Sequence, residues 1–137
     1  MLKNFILSID QGTTGSTALV VDDMGLVRGR ASSEFPQYFP RPGWVEHDGN
    51  EIWEVTHRVM GQAMKSAGVE PAAIAALGIT NQRETSLLWD RKSGEPVGRA
   101  IVWQDRRTAK ICEALRGRGL EEAWSHKTGL LLDPYFS

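Results

Sequence analysis

In the stretch IDQGTTGST, residues 9–17, an apolar strand ends in a carboxylate and runs straight into glycine and hydroxyl side chains. Glycine lets a backbone approach a ligand closely, and successive backbone N–H groups in a tight turn can bind an anion. Asp10 stands where a carboxylate could bind Mg²⁺, directly or through water. The stretch matches neither a Walker loop nor a Rossmann fingerprint. An ordinary hairpin turn would also fit, so distant residues have to decide between a turn and a phosphate loop.

Apolar, β-rich runs surround this stretch. They cover residues 3–9 and 16–22, with a weaker run at 26–33. Their close spacing and short turns predict an antiparallel meander.

A helix is predicted next, because Asp48 and Glu51 have the spacing of a capping box and Gly68 supplies a stop signal. A short buried strand over 75–80 follows it. We interpret the basic residues 106, 107 and 110 as a solvated helix face, since acidic residues are interleaved with them. The remaining predicted elements are strands at 86–89 and 100–103, a helix opened by Asp105 and running to about Arg116 with Ile111, Cys112 and Leu115 inward, and a weaker helix at about 120–126.

Composition bounds the class of protein. The chain has 137 residues, about one domain, with 41% hydrophobic and 24% charged residues, as in a globular fold with a real core. A formal net charge of −1 argues against a nucleic-acid or anionic-membrane surface. Cys112 is a single cysteine, so it forms no internal disulfide. No run approaches the ~18–20 apolar residues of a membrane span, and a signal-peptide pattern is missing, so we expect no membrane insertion and a cytoplasmic location.

Polar residues between two apolar segments form a second candidate site. In residues 81–85, NQRET, Arg83 offers five fixed donors and Glu84 a carboxylate acceptor, a pair able to read the hydroxyls of a polyol. A solvated loop would look similar. Trp103 and Tyr135 could form an apolar wall for the carbon face of a polar ligand, or simply pack in the core. The three histidines, His47, His57 and His126, lack metal-ligand spacing.

Five motifs, in this order, resemble one known family: IDQGTTGST at 9–17, PGWVEHD at 42–48, GITNQRET at 78–85, IVWQDRRTA at 101–109 and TGLLLDPYFS at 128–137. Over essentially its whole length the chain resembles the FGGY family of carbohydrate kinases. NQRET and DPYFS favour glycerol over pentoses as the substrate. The resemblance implies the α/β ribonuclease H-like, actin-like ATPase fold, a mixed sheet with flanking helices, in which residues 1–137 are the N-terminal, substrate-binding domain.

The resemblance also implies an activity, the phosphorylation of glycerol to glycerol 3-phosphate with ATP and Mg²⁺. Asp10 would serve the metal ion. Arg83, Glu84 and Tyr135 would hydrogen-bond the glycerol hydroxyls, and Trp103 would pack on the glycerol carbons. The nucleotide phosphates would contact the loop residues Gly12, Thr13, Thr14 and Gly15.

Family members are longer, and their catalytic-base aspartate and adenine-binding domain lie beyond the position of Ser137. We therefore expect no catalytic residue within this chain, a fold cut at its apolar C-terminal tail, no turnover by the chain alone, and a homo-oligomer at full length. Thr17 stands where the family commonly has a basic residue. Two alternatives stay open: another FGGY sugar kinase, and an actin- or Hsp70-like nucleotide-regulated binding protein.

Overall fold

The computed structural model describes residues 4–136, which form two compact units. Residues 4–36 and 48–82 make the first unit, and residues 37–47 and 83–136 make the second. The elements of the first unit are β1 (Phe5–Gln11), β2 (Gly15–Asp22), β3 (Val27–Glu34), α1 (Gly49–Ala67), a 3₁₀ turn (Pro71–Ala73) and β5 (Ile74–Asn81). Those of the second are β4 (Glu46–His47), β6 (Ala100–Ile101), α2 (Ala109–Gly117) and α3 (Glu121–Thr128).

The sheet of the first unit has four strands in the order β3-β2-β1-β5. The first three strands form antiparallel neighbours, which confirms the predicted meander. β5 instead pairs in parallel with β1, on the side away from β2. The sheet is therefore mixed, and α1 is the long connection that a parallel return requires.

Helix α1 begins and ends where the sequence predicts. The Asp48 carboxylate accepts hydrogen bonds from the backbone N–H groups of Asn50 and Glu51 at 2.9 and 3.4 Å. Gly68 closes the helix in the left-handed conformation with φ of 65°, which favours glycine. In residues 4–136, none of the helices is long and apolar enough to cross a bilayer.

The core of the first unit lies between α1 and the meander. Its buried members are Leu7, Ala18, Val20, Val59 and Ala63. The helix backbone lies very close to Gly29 on β3, since a Cβ there would be 2.3 Å from the Ala63 carbonyl oxygen and 2.7 Å from the Ala67 nitrogen. Only a residue without a side chain allows α1 to sit this close to the sheet.

The prediction of a buried strand at 75–80 is wrong about burial. β5 exists, but its side chains from Ala75 onward are exposed, with Leu77 at 50% and Ile79 at 65%. Within the described residues, β5 is an edge strand bonded only to β1. Because α1 packs on β1, β2 and β3, it leaves β5 uncovered.

The second unit contains less regular structure than predicted. Residues 86–89 form isolated bridges rather than a strand, with Ser86 opposite Ile101 and Trp89 opposite Pro96. The predicted strand at 100–103 shortens to the two residues of β6, which pair with β4. Residues 91–93 form a turn, and the Asp90 carboxylate organises it by accepting hydrogen bonds from the backbone N–H groups of Lys92 and Ser93.

Asp105 does not open a helix, which corrects the prediction. It is 3% exposed, and its carboxylate accepts from the backbone N–H of Val45 at 2.7 Å and of Arg107 at 2.8 Å. The Arg107 guanidinium bonds both Asp105 and Glu46 at 2.8 Å and lies over the Trp44 ring. Arg107 therefore belongs to a buried ion network and not to a solvated helix face. α2 begins four residues later than Asp105, with Cys112 inward as predicted and Ile111 exposed against prediction.

A methyl group at position 29 tests the close approach of helix and sheet. We expect Gly29→Ala to lower the free energy of unfolding by about 1–3 kcal/mol, because the new Cβ overlaps helix backbone that cannot swing away. Gly61→Ala is the matched control in the exposed interior of α1, where nothing lies within 4 Å of the new Cβ. That control should gain about 1 kcal/mol from helix propensity. Equal effects of the two changes in urea unfolding would contradict the packing argument.

The buried carboxylate of Asp105 makes stability depend on pH. Burial alone would raise its pKa, but hydrogen bonds from the Arg107 side chain, from the Arg107 backbone and from the Val45 backbone outweigh burial and lower the pKa below its ordinary value of 3.8. A lowered folded-state pKa stabilises the fold above pH 3.8, and this contribution is lost as the pH falls below that value. We expect Asp105→Asn to cost about 2–3 kcal/mol at pH 7 and to flatten the fall in unfolding free energy between about pH 4 and 2.

The control is Glu121→Gln, which removes an exposed ion pair with Arg116. Exposed ion pairs contribute under about 1 kcal/mol to the free energy of unfolding, so this variant should unfold like the wild type at pH 7 and at pH 3. Urea unfolding monitored by circular dichroism at pH 7 and pH 3 gives the comparison. If the free energy of unfolding falls by the same amount between pH 7 and pH 3 in Asp105→Asn and in the wild type, the network does not cause the loss of stability in acid.

Candidate functional site

The loop between β1 and β2 is a tight turn closed by its own backbone. Residues 12–14 link the two strands, and the Gly12 N–H donates to the Gly15 carbonyl oxygen at 2.9 Å. The Gln11 side-chain amide donates to the Gly12 carbonyl oxygen at 2.8 Å. The Gly12 N–H is thus engaged within the turn, and the Thr14 side chain is exposed at its outer end.

Gly15 has a packing reason that the sequence pattern did not reveal. A Cβ at this position would lie 2.5 Å from the Ser33 carbonyl oxygen and 2.9 Å from the Glu34 Cα on β3. The Thr14 carbonyl oxygen also accepts from the Phe35 N–H at 3.3 Å. The end of β3 therefore packs directly against the end of the loop, and a side chain at Gly15 would push the loop away from β3.

Asp10 lies at the carboxyl end of β1, one residue before the strand ends. Gln82, just past the end of β5, donates its N–H to the Gln11 carbonyl oxygen at 2.7 Å. Both parallel strands therefore end at the same edge of the sheet, which is where open α/β sheets bind ligands. The Asp10 side chain is exposed there. Among residues 4–136, no group of three His, Cys, Asp or Glu side chains is arranged to hold a metal ion.

In the second unit, the rings of Trp103 and Tyr135 contact each other. Their ring centroids are 5.4 Å apart at an interplanar angle of 66°, an edge-to-face contact. Both backbones are anchored, since the Trp103 N–H donates to the Thr85 hydroxyl at 3.4 Å and the Tyr135 N–H to the Asp133 carboxylate at 2.9 Å. Phe136 extends the aromatic group with a further edge contact on Tyr135 at 4.9 Å.

Glu84 has an unusual backbone conformation. Its φ is 63°, in the left-handed region, and it is the single non-glycine residue with positive φ in the described chain. Such a conformation costs of order 1 kcal/mol and clusters at functional sites. Glu84 is partly buried, whereas its neighbour Arg83 is exposed. The two charged side chains therefore differ in burial at the residue where the backbone is strained.

A small cavity of about 150 Å³ lies beside Glu84. Trp103, Tyr135 and Arg83 do not line it, so the structure links only Glu84 of the four predicted residues to this cavity. Sequence reasoning missed the rest of the lining, because Phe136 was given no role although it lies in the DPYFS motif, Ser86 lies just outside NQRET, and Asp105 and Arg107 resembled a helix face. The lining comprises Glu84, Ser86, Ile101, Val102, Asp105, Arg107, Thr108, Pro134 and Phe136.

The profile of the FGGY family of carbohydrate kinases, N-terminal domain, matches residues 5–137. A glycerol kinase from Alkalilimnicola ehrlichii is 63% identical over 132 residues, which cover 96% of this chain and 27% of that protein. The chain therefore spans about a quarter of the length of the curated relatives it matches.

Solved structures share the fold. The glycerol kinase of Plasmodium falciparum, solved with ADP, has a TM-score of 0.91 and 34% identity, covering 98% of this chain and 27% of that one. A xylulose kinase from Brucella ovis has a TM-score of 0.86 and 26% identity, covering 97% and 27%. These likenesses confirm the predicted actin-like α/β fold with its mixed sheet. The chain belongs to the FGGY family of carbohydrate kinases.

Proposed function

We propose that this chain is the N-terminal, substrate-binding part of a glycerol kinase, which transfers the terminal phosphoryl group of ATP to glycerol. The observation that carries the proposal is the 63% identity with a glycerol kinase over nearly the whole chain. Among the solved structures, a glycerol kinase is 34% identical and a xylulose kinase of the same fold is 26% identical. Membership of a carbohydrate kinase family leaves the actin- or Hsp70-like alternative without support.

The acceptor would bind in the second unit. A triol needs acceptors and donors for its hydroxyls and an apolar surface for its carbons. Glu84 would accept hydrogen bonds from the hydroxyls, Arg83 would donate to them, and the Tyr135 hydroxyl would add another polar contact. The edge-to-face contact of Trp103 with Tyr135 fixes a flat aromatic surface, which suits the carbon face of glycerol.

The phosphates would bind at the 12–14 loop. Thr13 and Thr14 would donate to phosphate oxygens from their hydroxyls and backbone N–H groups. Because the Gly12 N–H is already bonded within the turn, we assign Gly12 and Gly15 to shaping the loop and bringing its backbone close to the nucleotide.

Asp10 fits the magnesium ion that such kinases use. Its carboxylate is exposed at the sheet edge and offers hard oxygen donors, as Mg²⁺ prefers. Mg²⁺ keeps several waters and takes one or two carboxylates plus phosphate oxygens, so a single carboxylate is sufficient. When bound, the ion would offset the negative charge of the phosphates.

Location and assembly belong to the same proposal. A kinase that consumes ATP suits the cytoplasm, and the one cysteine of these 137 residues, Cys112, is free and buried. Exposed apolar side chains at Leu88, Trp89 and Val97 share one hairpin and offer a surface on which copies of a full-length protein could associate.

A coupled assay of ADP release tests the main proposal. In the product of the complete reading frame that contains residues 1–137, we expect glycerol to exceed D-xylulose by more than about a hundredfold in kcat/KM, since a site built for three hydroxyls misfits a larger ketose. The 137-residue chain by itself should show no turnover. A preference for xylulose would favour a different FGGY sugar kinase, and ADP release that ignores every acceptor would favour a nucleotide-regulated ATPase.

Removing the charge of Glu84 tests the acceptor site. Glu84→Gln should lower kcat/KM for glycerol by about 10–100-fold through a higher glycerol KM, because a charged acceptor contributes about 1.5–3 kcal/mol per hydrogen bond. The KM for ATP should stay unchanged. Glu113→Gln, at an exposed position of α2, is the matched control and should behave like the wild type. Equal kinetics for both variants would remove Glu84 from the site.

A further inference from the structure

A row of polar residues crosses the whole sheet of the first unit at the level of Asp10. Thr80 on β5 lies opposite Asp10, Asp10 lies opposite Thr17 on β2, and Thr17 lies opposite Ser32 on β3. Residues directly opposite one another project from the same face of a sheet. The carboxylate of Asp10 therefore has a threonine hydroxyl on either side of it.

The row is confined to one place on the sheet. One row further from the loop, the same face carries Ser8 with Leu19 and Gly78 opposite it. The opposite face at the neighbouring level is apolar, with Ile9 opposite Ala18. On this face, the row nearest the 12–14 loop is therefore the one in which hydroxyl groups flank the Asp10 carboxylate.

The Thr17 hydroxyl has a hydrogen-bond partner on the neighbouring strand. Its hydroxyl oxygen lies 2.9 Å from the hydroxyl oxygen of Ser32. A hydroxyl has one proton and two lone pairs, so this bond leaves Thr17 at least one lone pair for another donor. Whichever of the two hydroxyls donates, the Thr17 oxygen can accept a further hydrogen bond beside Asp10.

A hydrated cation would fit between these groups. The waters of Mg²⁺ direct their protons outward, and Mg²⁺ gives them up reluctantly. Cβ atoms of opposite residues are about 4.5–5.5 Å apart, which leaves room for a water between the Asp10 carboxylate and either hydroxyl. The threonine oxygens would accept from those waters while Asp10 supplies the charge.

We propose that Thr17 and Thr80 are positioning residues that hold the water shell of the cation bound at Asp10. The inference rests on the proposed function and adds two residues to its metal site. Outer-shell partners of this kind typically change metal affinity 10–100-fold when they are removed. The proposal also gives the neutral Thr17 a function, because its hydroxyl would accept a hydrogen bond from water on the cation while the cation supplies the positive charge.

The test measures Mn²⁺ as a probe, by water proton relaxation with ADP present, in the product of the complete reading frame that contains this chain. Thr17→Val and Thr80→Val remove one hydroxyl each with little change in shape. Each should weaken binding of Mn²⁺ with ADP about tenfold. Affinity for ADP in EDTA should not change, and Thr17→Ser should restore the wild-type value.

Two further variants separate the outcomes. Ser8→Ala removes a hydroxyl from the same face one row away and should bind Mn²⁺ like the wild type. Asp10→Asn should abolish Mn²⁺ binding, and if it does not, the proposed metal role of Asp10 fails and this inference with it. If Asp10→Asn abolishes binding while both valine variants bind normally, only the positioning role is overturned. A valine variant that loses metal-free ADP binding equally, or no more Mn²⁺ affinity than Ser8→Ala, would likewise overturn it.

Discussion

The parallel pairing of β1 with β5 is the constraint on which the proposed phosphate and metal site depends. Parallel strands end at the same edge, so Asp10 and the 12–14 loop lie beside the end of β5. Had β5 run antiparallel to β1, its carboxyl end would lie at the far edge of the sheet, about 25 Å away for eight residues. The parallel return needs α1 to cross the sheet, and the bare backbone of Gly29 lets α1 settle on it.

The second unit is ordered differently, by an ion network beside buried apolar side chains rather than by an extended sheet. Its paired strands have only two residues each, too few to order the chain alone. Arg107 joins the carboxylates of Asp105 and Glu46, and Asp105 also fixes the backbone at Val45. Burying these ions is costly, and their mutual hydrogen bonds offset that cost. The network thereby ties the 37–47 segment to the chain around position 105.

Local signals made part of this structure predictable. Asp48 and Gly68 act within a few residues of themselves, and the alternating apolar runs of the meander pair with their neighbours in sequence, so the sequence predicted α1 and β1–β3. Burial of β5 and the role of Asp105 depend on what other segments cover or contact, and a single sequence carries no sign of that. Asp105 looked like a helix start because the deciding partner, Val45, is 60 residues away.

The candidate site was likewise predictable in composition and less so in geometry. Motif spacing identified Glu84, yet its left-handed backbone and its cavity follow from tertiary contacts. Two features hold that strained loop: Thr85 accepts from the Trp103 N–H, and Ser86 exchanges two 2.9 Å backbone hydrogen bonds with Ile101. A conformation that costs of order 1 kcal/mol persists only where its surroundings impose it. The same bonds that hold the Glu84 loop also fix Trp103, so the carboxylate and the aromatic surface proposed for the acceptor are placed by one set of contacts.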